Sequence, residues 1–165
     1  MTSRTQVGVV FANVKIHELT MSVDTSAYAD GDLLADVQQI ANFSKDSKDE
    51  PNRPVTIVSL ELYDAAAQGT AMDVFFTPTS TTWGTENSAP SAADAVIEDC
   101  YGPISVVSTD WVPVGSGISK ASMQAIGLMV EPAADDSIYV AIVSRGTPTF
   151  GAATDLKIKV GVLAD

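Results

Sequence analysis

The sequence predicts an all-β fold: a β-sandwich or jelly-roll-like domain with one short helix. Short apolar runs alternate with polar residues at a period of two, which puts successive side chains on opposite faces of a strand. Clusters of Gly, Pro, Asp, Asn and Ser interrupt these runs, and the gaps are too short for the crossover helices of a parallel α/β sheet. The apolar residues lean to Val and Ile, with Ser and Thr abundant, which favours extended backbone. At 165 residues, 45% hydrophobic and 18% charged, the chain can bury one core and is globular rather than disordered. No repeat period or linker divides it. The expected organisation is an N-terminal arm over residues 1–13 and a single sandwich domain over 14–165.

The elements follow in order. Val14 to Met21 (VKIHELTM) reads as a strand, with Val14 and Ile16 on one face and Lys15 and His17 on the other. Ala29-Asp30-Gly31-Asp32 is a turn signal in which Gly supplies positive φ. Leu33 to Phe43 fits helical or strand spacing through Val37, Ile40 and Phe43, and a strand over Val37 to Phe43 is favoured. Ser44 to Pro54 is a charged loop with two prolines. Val55 to Tyr63 and Ala71 to Thr77 are strands, followed by the polar loop Pro78 to Pro90. Ser91 reads as the N-cap of a helix from Ala92 to Cys100, with Asp94 in its first turn and Gly102 just past its end. Ile104 to Ser108, Ala121 to Val130, Ile138 to Ser144 and Leu156 to Leu163 complete eight or nine strands. In the last, Leu156, Ile158, Val160 and Val162 fall on one face, Lys157 and Lys159 on the other.

Charge excludes one class of partner. Nine basic residues against twenty-one acidic ones give a formal charge of -12, and such a chain is repelled by nucleic-acid phosphates. The apolar run Val7 to Ala12 is too short for a signal-peptide core, and no window approaches the ~18 apolar residues of a membrane span. Synthesis in a cytosol is therefore expected, and the glycosylation sequon at Asn42-Phe43-Ser44 carries no meaning there. Cys100 is the only cysteine, so no intrachain disulfide can form.

Residues that could carry chemistry do not assemble into a constellation. His17 and Glu18 are strand neighbours on opposite faces, so they cannot form a base and its orienter, and His17 is expected to face solvent. Cys100, placed at a helix C-terminus where the dipole disfavours a thiolate, reads as a buried inert thiol. Neither Ser144-Arg145-Gly146 nor Gly115-Ser116-Gly117 has the strand–GxSxG–helix context of a nucleophile elbow. The second also lacks the lysine of a phosphate-binding loop and reads as a turn. Asp30 and Asp32, Asp46 with Asp49 and Glu50, Glu98 and Asp99, and Asp135 and Asp136 read as solvated turn acids, and no DxDxDG-type calcium loop is present. Trp83 and Trp111 could stack on sugar, cover a loop over the core, or bury at a subunit interface. No catalytic residue, cofactor or metal is assigned.

The segment SIYVAIVSRGTPTFGAATDLKIKVGVLAD, Ser137 to Asp165, joins a strand through RGTPT and ATDL to the last strand. It resembles the C-terminus of small tailed-bacteriophage virion proteins described as capsid decoration, cement or head structural proteins. SVDTSAYADGDLLAD, Ser22 to Asp36, resembles the entry segment of the same group, and VTIVSLELYD, AMDVFFTPT and GPISVVSTDW fit its middle strands. The charged loop Ser44 to Pro54 and the first dozen residues have no match. The resemblance implies no catalytic residues. It implies a protein that binds the major capsid protein on the outside of the expanded shell, as a homotrimer over capsomer junctions, after assembly in a bacterial cytoplasm. Other virion roles, such as a tail tube or head fibre, and a carbohydrate-binding jelly roll are the competing expectations.

Overall fold

The computed structural model describes residues 13–44 and 53–164. Among these residues nine strands form two antiparallel sheets. In chain order they are β1 (Asn13–Thr20), β2 (Leu33–Ile40), β3 (Val55–Asp64), β4 (Met72–Thr77), β5 (Tyr101–Val106), β6 (Trp111–Gly115), β7 (Ile118–Val130), β8 (Ile138–Ser144) and β9 (Leu156–Ala164). One helix, α1 (Asp94–Glu98), and a 3-10 turn at Ser108–Asp110 interrupt them. The sheets run β1-β9-β3-β7-β6 and β2-β8-β4-β5. Without β6, this is the interleaved order of a jelly roll, in which successive strands mostly alternate between sheets. The all-β expectation holds. Of the arm expected over residues 1–13, residues 1–12 lie outside the described residues, and Asn13 already pairs with Ala164.

The core lies between the sheets. Ile57, Leu60 and Leu62 of β3, Leu156, Ile158, Val160 and Val162 of β9, and Val74 and Phe76 of β4 meet Val140 and Ile142 of β8 there. β8 reads as an almost unbroken apolar run because both its faces are buried. Ala141 and Val143 point away from the main core into a smaller cluster with Leu33 and Trp83. The loop after β4 lies over this outer face. Asp36 holds it, accepting from Trp83 N at 2.8 Å and Thr82 Oγ1 at 2.5 Å, and Trp83 packs on Phe75 with centroids 5.1 Å apart.

Four expectations about elements are corrected, and one strand is added. β2 begins at Leu33, not Val37, because two register shifts against β8 break the period-2 pattern that would have revealed it. The helix shrinks to Asp94–Glu98. Ser91 does not cap it, since both Ser91 N and Oγ turn to the Trp83 carbonyl, and Ala93 takes the N-cap position without a side-chain bond. Gly102 does not end the helix but sits in β5 at φ 106°. β6 was not foreseen. Its sequence WVPVG carries Pro113, which edge strands tolerate.

The two segments that carry the resemblance form one structural unit. Tyr28 N donates to Pro148 O at 3.0 Å, Gly31 N to Ser144 O at 2.9 Å, and Ser144 N to Asp32 O at 2.8 Å. Phe150 meets Tyr28 edge-on at 6.1 Å, both rings buried. Asp155 closes the second segment by accepting from Gly151 N and Ala152 N, each at 2.8 Å. Arg145 pairs with the mostly buried Asp73 at 2.7 Å, and Ser105 Oγ donates to the same carboxylate at 2.6 Å.

Candidate functional site

The two sheets treat their outer faces differently. The four-stranded sheet is covered by its own loop. The outer face of the five-stranded sheet stays open, and its cross-strand register places four rows of side chains across it. They are Val14–Leu163–Thr56–Met129, Ile16–Gly161–Ser59–Gln124, Glu18–Lys159–Glu61–Ser122, and Thr20–Lys157–Tyr63–Lys120–Val112. The first two rows give an apolar band, the other two a charged one.

The apolar side chains there are exposed: Val14 58%, Ile16 71%, Met129 67%, and on the edge strand β6 Val112 59% and Val114 56%. The only other exposed large apolar side chains among the described residues, Ile97 (44%) and Val107 (50%), are less exposed. Among the described residues, three of the basic side chains stand on this face and only two of the acidic ones. Lys159 pairs with Glu18 at 3.2 Å and Lys120 with Glu61 at 3.0 Å. Such surface pairs contribute only about 0–1 kcal/mol each, so they organise the face more than they stabilise it. A depression of about 230 Å³ lies among Glu18, Glu61, Tyr63, Lys120, Lys157 and Lys159. A second, of about 170 Å³, lies between Ile16 and Ser59, where Gly161 has no side chain to fill it.

Val14 and Ile16 therefore face solvent, and Lys15, His17 and Leu19 lie on the core side of β1. His17 corrects its expectation. It is half-buried rather than solvent-facing, stacked on Phe43 at 5.1 Å with Nε2 donating to the Phe43 carbonyl at 3.1 Å. Burial holds its pKa below the ordinary value, against the Phe43 bond that favours the charged form. Glu18 points the other way, to Lys159, as strand alternation requires.

The other candidates are scattered. Trp83 (2% exposed) and Trp111 (8%) are buried, which removes both as stacking platforms for sugar. Trp111 Nε1 donates to Thr70 O at 2.8 Å, whereas Trp83 Nε1 has no partner among the described residues. Cys100 lies beyond the helix and is only partly buried. Its thiol donates to Val96 O at 3.0 Å, and burial raises its pKa. Ser144 is a buried strand end, and Ser116 with Gly117 is the turn between β6 and β7. Asp136 is not a solvated turn acid but is buried, accepting from Ser44 N at 3.0 Å. Asp32 and Asp135 accept from turn amides of Ala29 and Ser137. Asp46, Asp49 and Glu50 lie outside the described residues. Sequence reasoning missed the buried carboxylates Asp64 and Asp73, whose strand positions gave no turn signal.

Elsewhere, a groove of about 420 Å³ runs between Glu98, Asp99, Tyr101 and Glu131, and one of about 350 Å³ touches Thr79, Asp135 and Tyr139. Among the described residues no three His, Cys, Asp or Glu side chains are grouped to hold a metal ion, and no helix is long and apolar enough to cross a membrane. Compared with protein-family models and with curated proteins, the chain matches none.

Proposed function

We propose that this chain is a virion structural protein, a decoration protein that binds the outer surface of the expanded phage capsid and stabilises its capsomer junctions. The observation that carries the reading is the open face of the five-stranded sheet, apolar and nearly charge-balanced on an otherwise strongly acidic chain. The resemblance through RGTPT, ATDL and YADGD supplies the class of partner, the major capsid protein. The jelly-roll strand order suits it, since that architecture recurs in viral coat and lectin domains. The resemblance also implies that copies associate, as trimers, and that they sit on the virion exterior after assembly in the bacterial cytoplasm.

The mechanism is physical. Covering side chains that are 56–71% exposed recovers about 1 kcal/mol each, from ~1.5–3 kcal/mol for full burial of such a residue. Five of them, less the entropy of association, give a modest single contact. Repetition over a lattice multiplies it. A protein that binds expanded shells and not compact ones stabilises the expanded lattice by mass action.

The test is co-sedimentation with expanded, undecorated shells and with compact precursors. Saturable binding to expanded shells alone is expected, and binding to neither refutes the reading. Rings or fibres formed in solution without shells would instead indicate a tail-tube or fibre part. A second reading, a carbohydrate-binding module, is favoured by the grooves where Tyr101 and Tyr139 lie among Glu98, Asp99, Glu131 and Asp135. Glycan-array binding abolished by Tyr101→Ala would support it.

A further inference from the structure

The jelly roll has four strand edges, and three are blocked against pairing. β6 is five residues long and carries Pro113. β5 is six residues long and carries Pro103. β2 is shifted in register twice, and its first residue is bonded to the covering loop, Leu33 N to Ser88 O at 2.8 Å and Asn87 N to Leu33 O at 2.9 Å. Prolines, short strands and breaks in register are the devices by which natural sheets stop their edges from pairing.

β1 has none of them. It pairs with β9 over eight consecutive residues without a register shift and contains no proline. Among the described residues its far side has no backbone partner from Val14 to Thr20. Two of its side chains, Val14 and Ile16, are among the most exposed apolar groups of the described chain. A long, unbroken, apolar edge is a template for strand addition.

We propose that β1 is a self-association edge, pairing antiparallel with β1 of a second copy about a two-fold axis centred on Ile16. The chain's charge leaves this edge as the place where a second copy can approach. Each copy carries a formal charge of -12, so two copies repel over most of their surface. From Val14 to Thr20 the edge itself is neutral, with one Lys15 and one Glu18. The adjoining open face holds three lysines and two glutamates. Here two acidic bodies can approach without a like-charge penalty. A two-fold axis perpendicular to the sheet also keeps the outer faces of both copies on one side. The five-stranded sheets then merge into a continuous one, with Ile16 opposite Ile16 and Val14 opposite Glu18 of the other copy. An isologous contact of this kind closes at two copies. It goes beyond capsid binding and replaces the trimer implied by the resemblance with a pair.

The experiment is light scattering of the full chain at tens of micromolar, with three variants. The wild type is expected at twice the 17.2 kDa chain mass. Ile16→Lys should fall to the single mass while keeping the folded far-UV spectrum, since the side chain is 71% exposed in the single chain. Val112→Lys, on the blocked β6 edge, should keep the double mass. Ile16→Cys in a Cys100→Ser background should oxidise to a covalent dimer, because the two-fold axis sets residue 16 opposite itself. A monomeric wild type overturns the proposal, and so does a trimeric mass or a dimer that Ile16→Lys leaves intact. Because Ile16 also stands on the face that meets the shell, the unaltered chain separates the two proposals: a monomer that still binds expanded shells overturns the pair and leaves the capsid reading standing, and a dimer that binds neither shell does the reverse.

Discussion

Phe150→Ala tests whether the two segments that carry the resemblance act as one cooperative unit. Phe150 is 2% exposed and meets Tyr28 (3% exposed) edge-on at 6.1 Å, which ties the loop before β9 to the turn before β2. Truncating a buried phenylalanine costs about 3–5 kcal/mol. For a domain of this size each kcal/mol moves the melting temperature by about 2–4 °C, so a fall of about 6–20 °C is expected. The specific pair is isolated by a double-mutant cycle with Tyr28→Leu, read by urea unfolding. The bonds lost by the Tyr28 hydroxyl, which donates to Leu34 O at 3.0 Å and accepts from Asp24 N at 2.5 Å, cancel in the cycle. The expected coupling is about 0.5–1.5 kcal/mol, the range for edge-to-face aromatic pairs. Additive losses within about 0.3 kcal/mol, or a melting shift below ~2 °C for Phe150→Ala, would refute the account. The loop would then be passive cover.

Three further outcomes are expected. Burial holds the His17 pKa below the ordinary 6.5, so between the folded value and 6.5 the unfolded chain binds more protons than the folded one. Stability from the neutral ring is therefore present above pH 6.5 and lost as pH falls through the folded value. His17→Gln should flatten that part of a urea-midpoint profile. The two buried tryptophans should respond differently to phenylalanine. Trp111→Phe strands the Thr70 carbonyl and should cost about 1–3 kcal/mol more than Trp83→Phe, whose Nε1 has no bond to lose. Gly102→Ala should lower stability in urea by about 1–3 kcal/mol, because φ is +106° and a Cβ would sit 3.1 Å from Val74 O and 3.2 Å from Ile104 N, both backbone atoms.

Whether an element could be read from sequence depended on whether one local pattern determined it. β3, β8 and β9 were legible because their alternation or apolar run survives intact. In β9, Leu156 to Val162 mark the core face and Lys157 and Lys159 the open one. β2 was displaced because its bulges break the period, and β6 was hidden by a proline that only an edge position permits. β1 was read with its faces reversed. Val14 and Ile16 are the more apolar pair, but register with β9 puts Lys15 opposite Val162 and His17 opposite Val160, on the core side. No local rule gives that, because the pattern of β1 is set by what lies beside it. The open face was invisible for the same reason. Glu18, Lys159 and Glu61 become neighbours only once three distant strands are in register.

What makes the open face informative is the covered one. A sandwich with two polar outer faces would raise no question about partners. Here the chain roofs one sheet with Trp83, held by Asp36 and packed on Phe75, although Trp83 Nε1 finds no acceptor among the described residues. An unpaired buried N–H costs about 1–3 kcal/mol, so the apolar surface buried beneath that roof must outweigh it. The same kind of stabilisation is available over Val14, Ile16 and Met129 on the other sheet, and none of the described residues takes it. Leaving such groups exposed favours non-specific association, which a net charge of -12 opposes everywhere the acids lie. Since only two of the acids among the described residues stand on that face, the repulsion that keeps copies apart elsewhere is weakest there. Charge and apolar exposure thus select the same surface. Association is suppressed over the rest of the chain and left permitted at this sheet and its β1 edge.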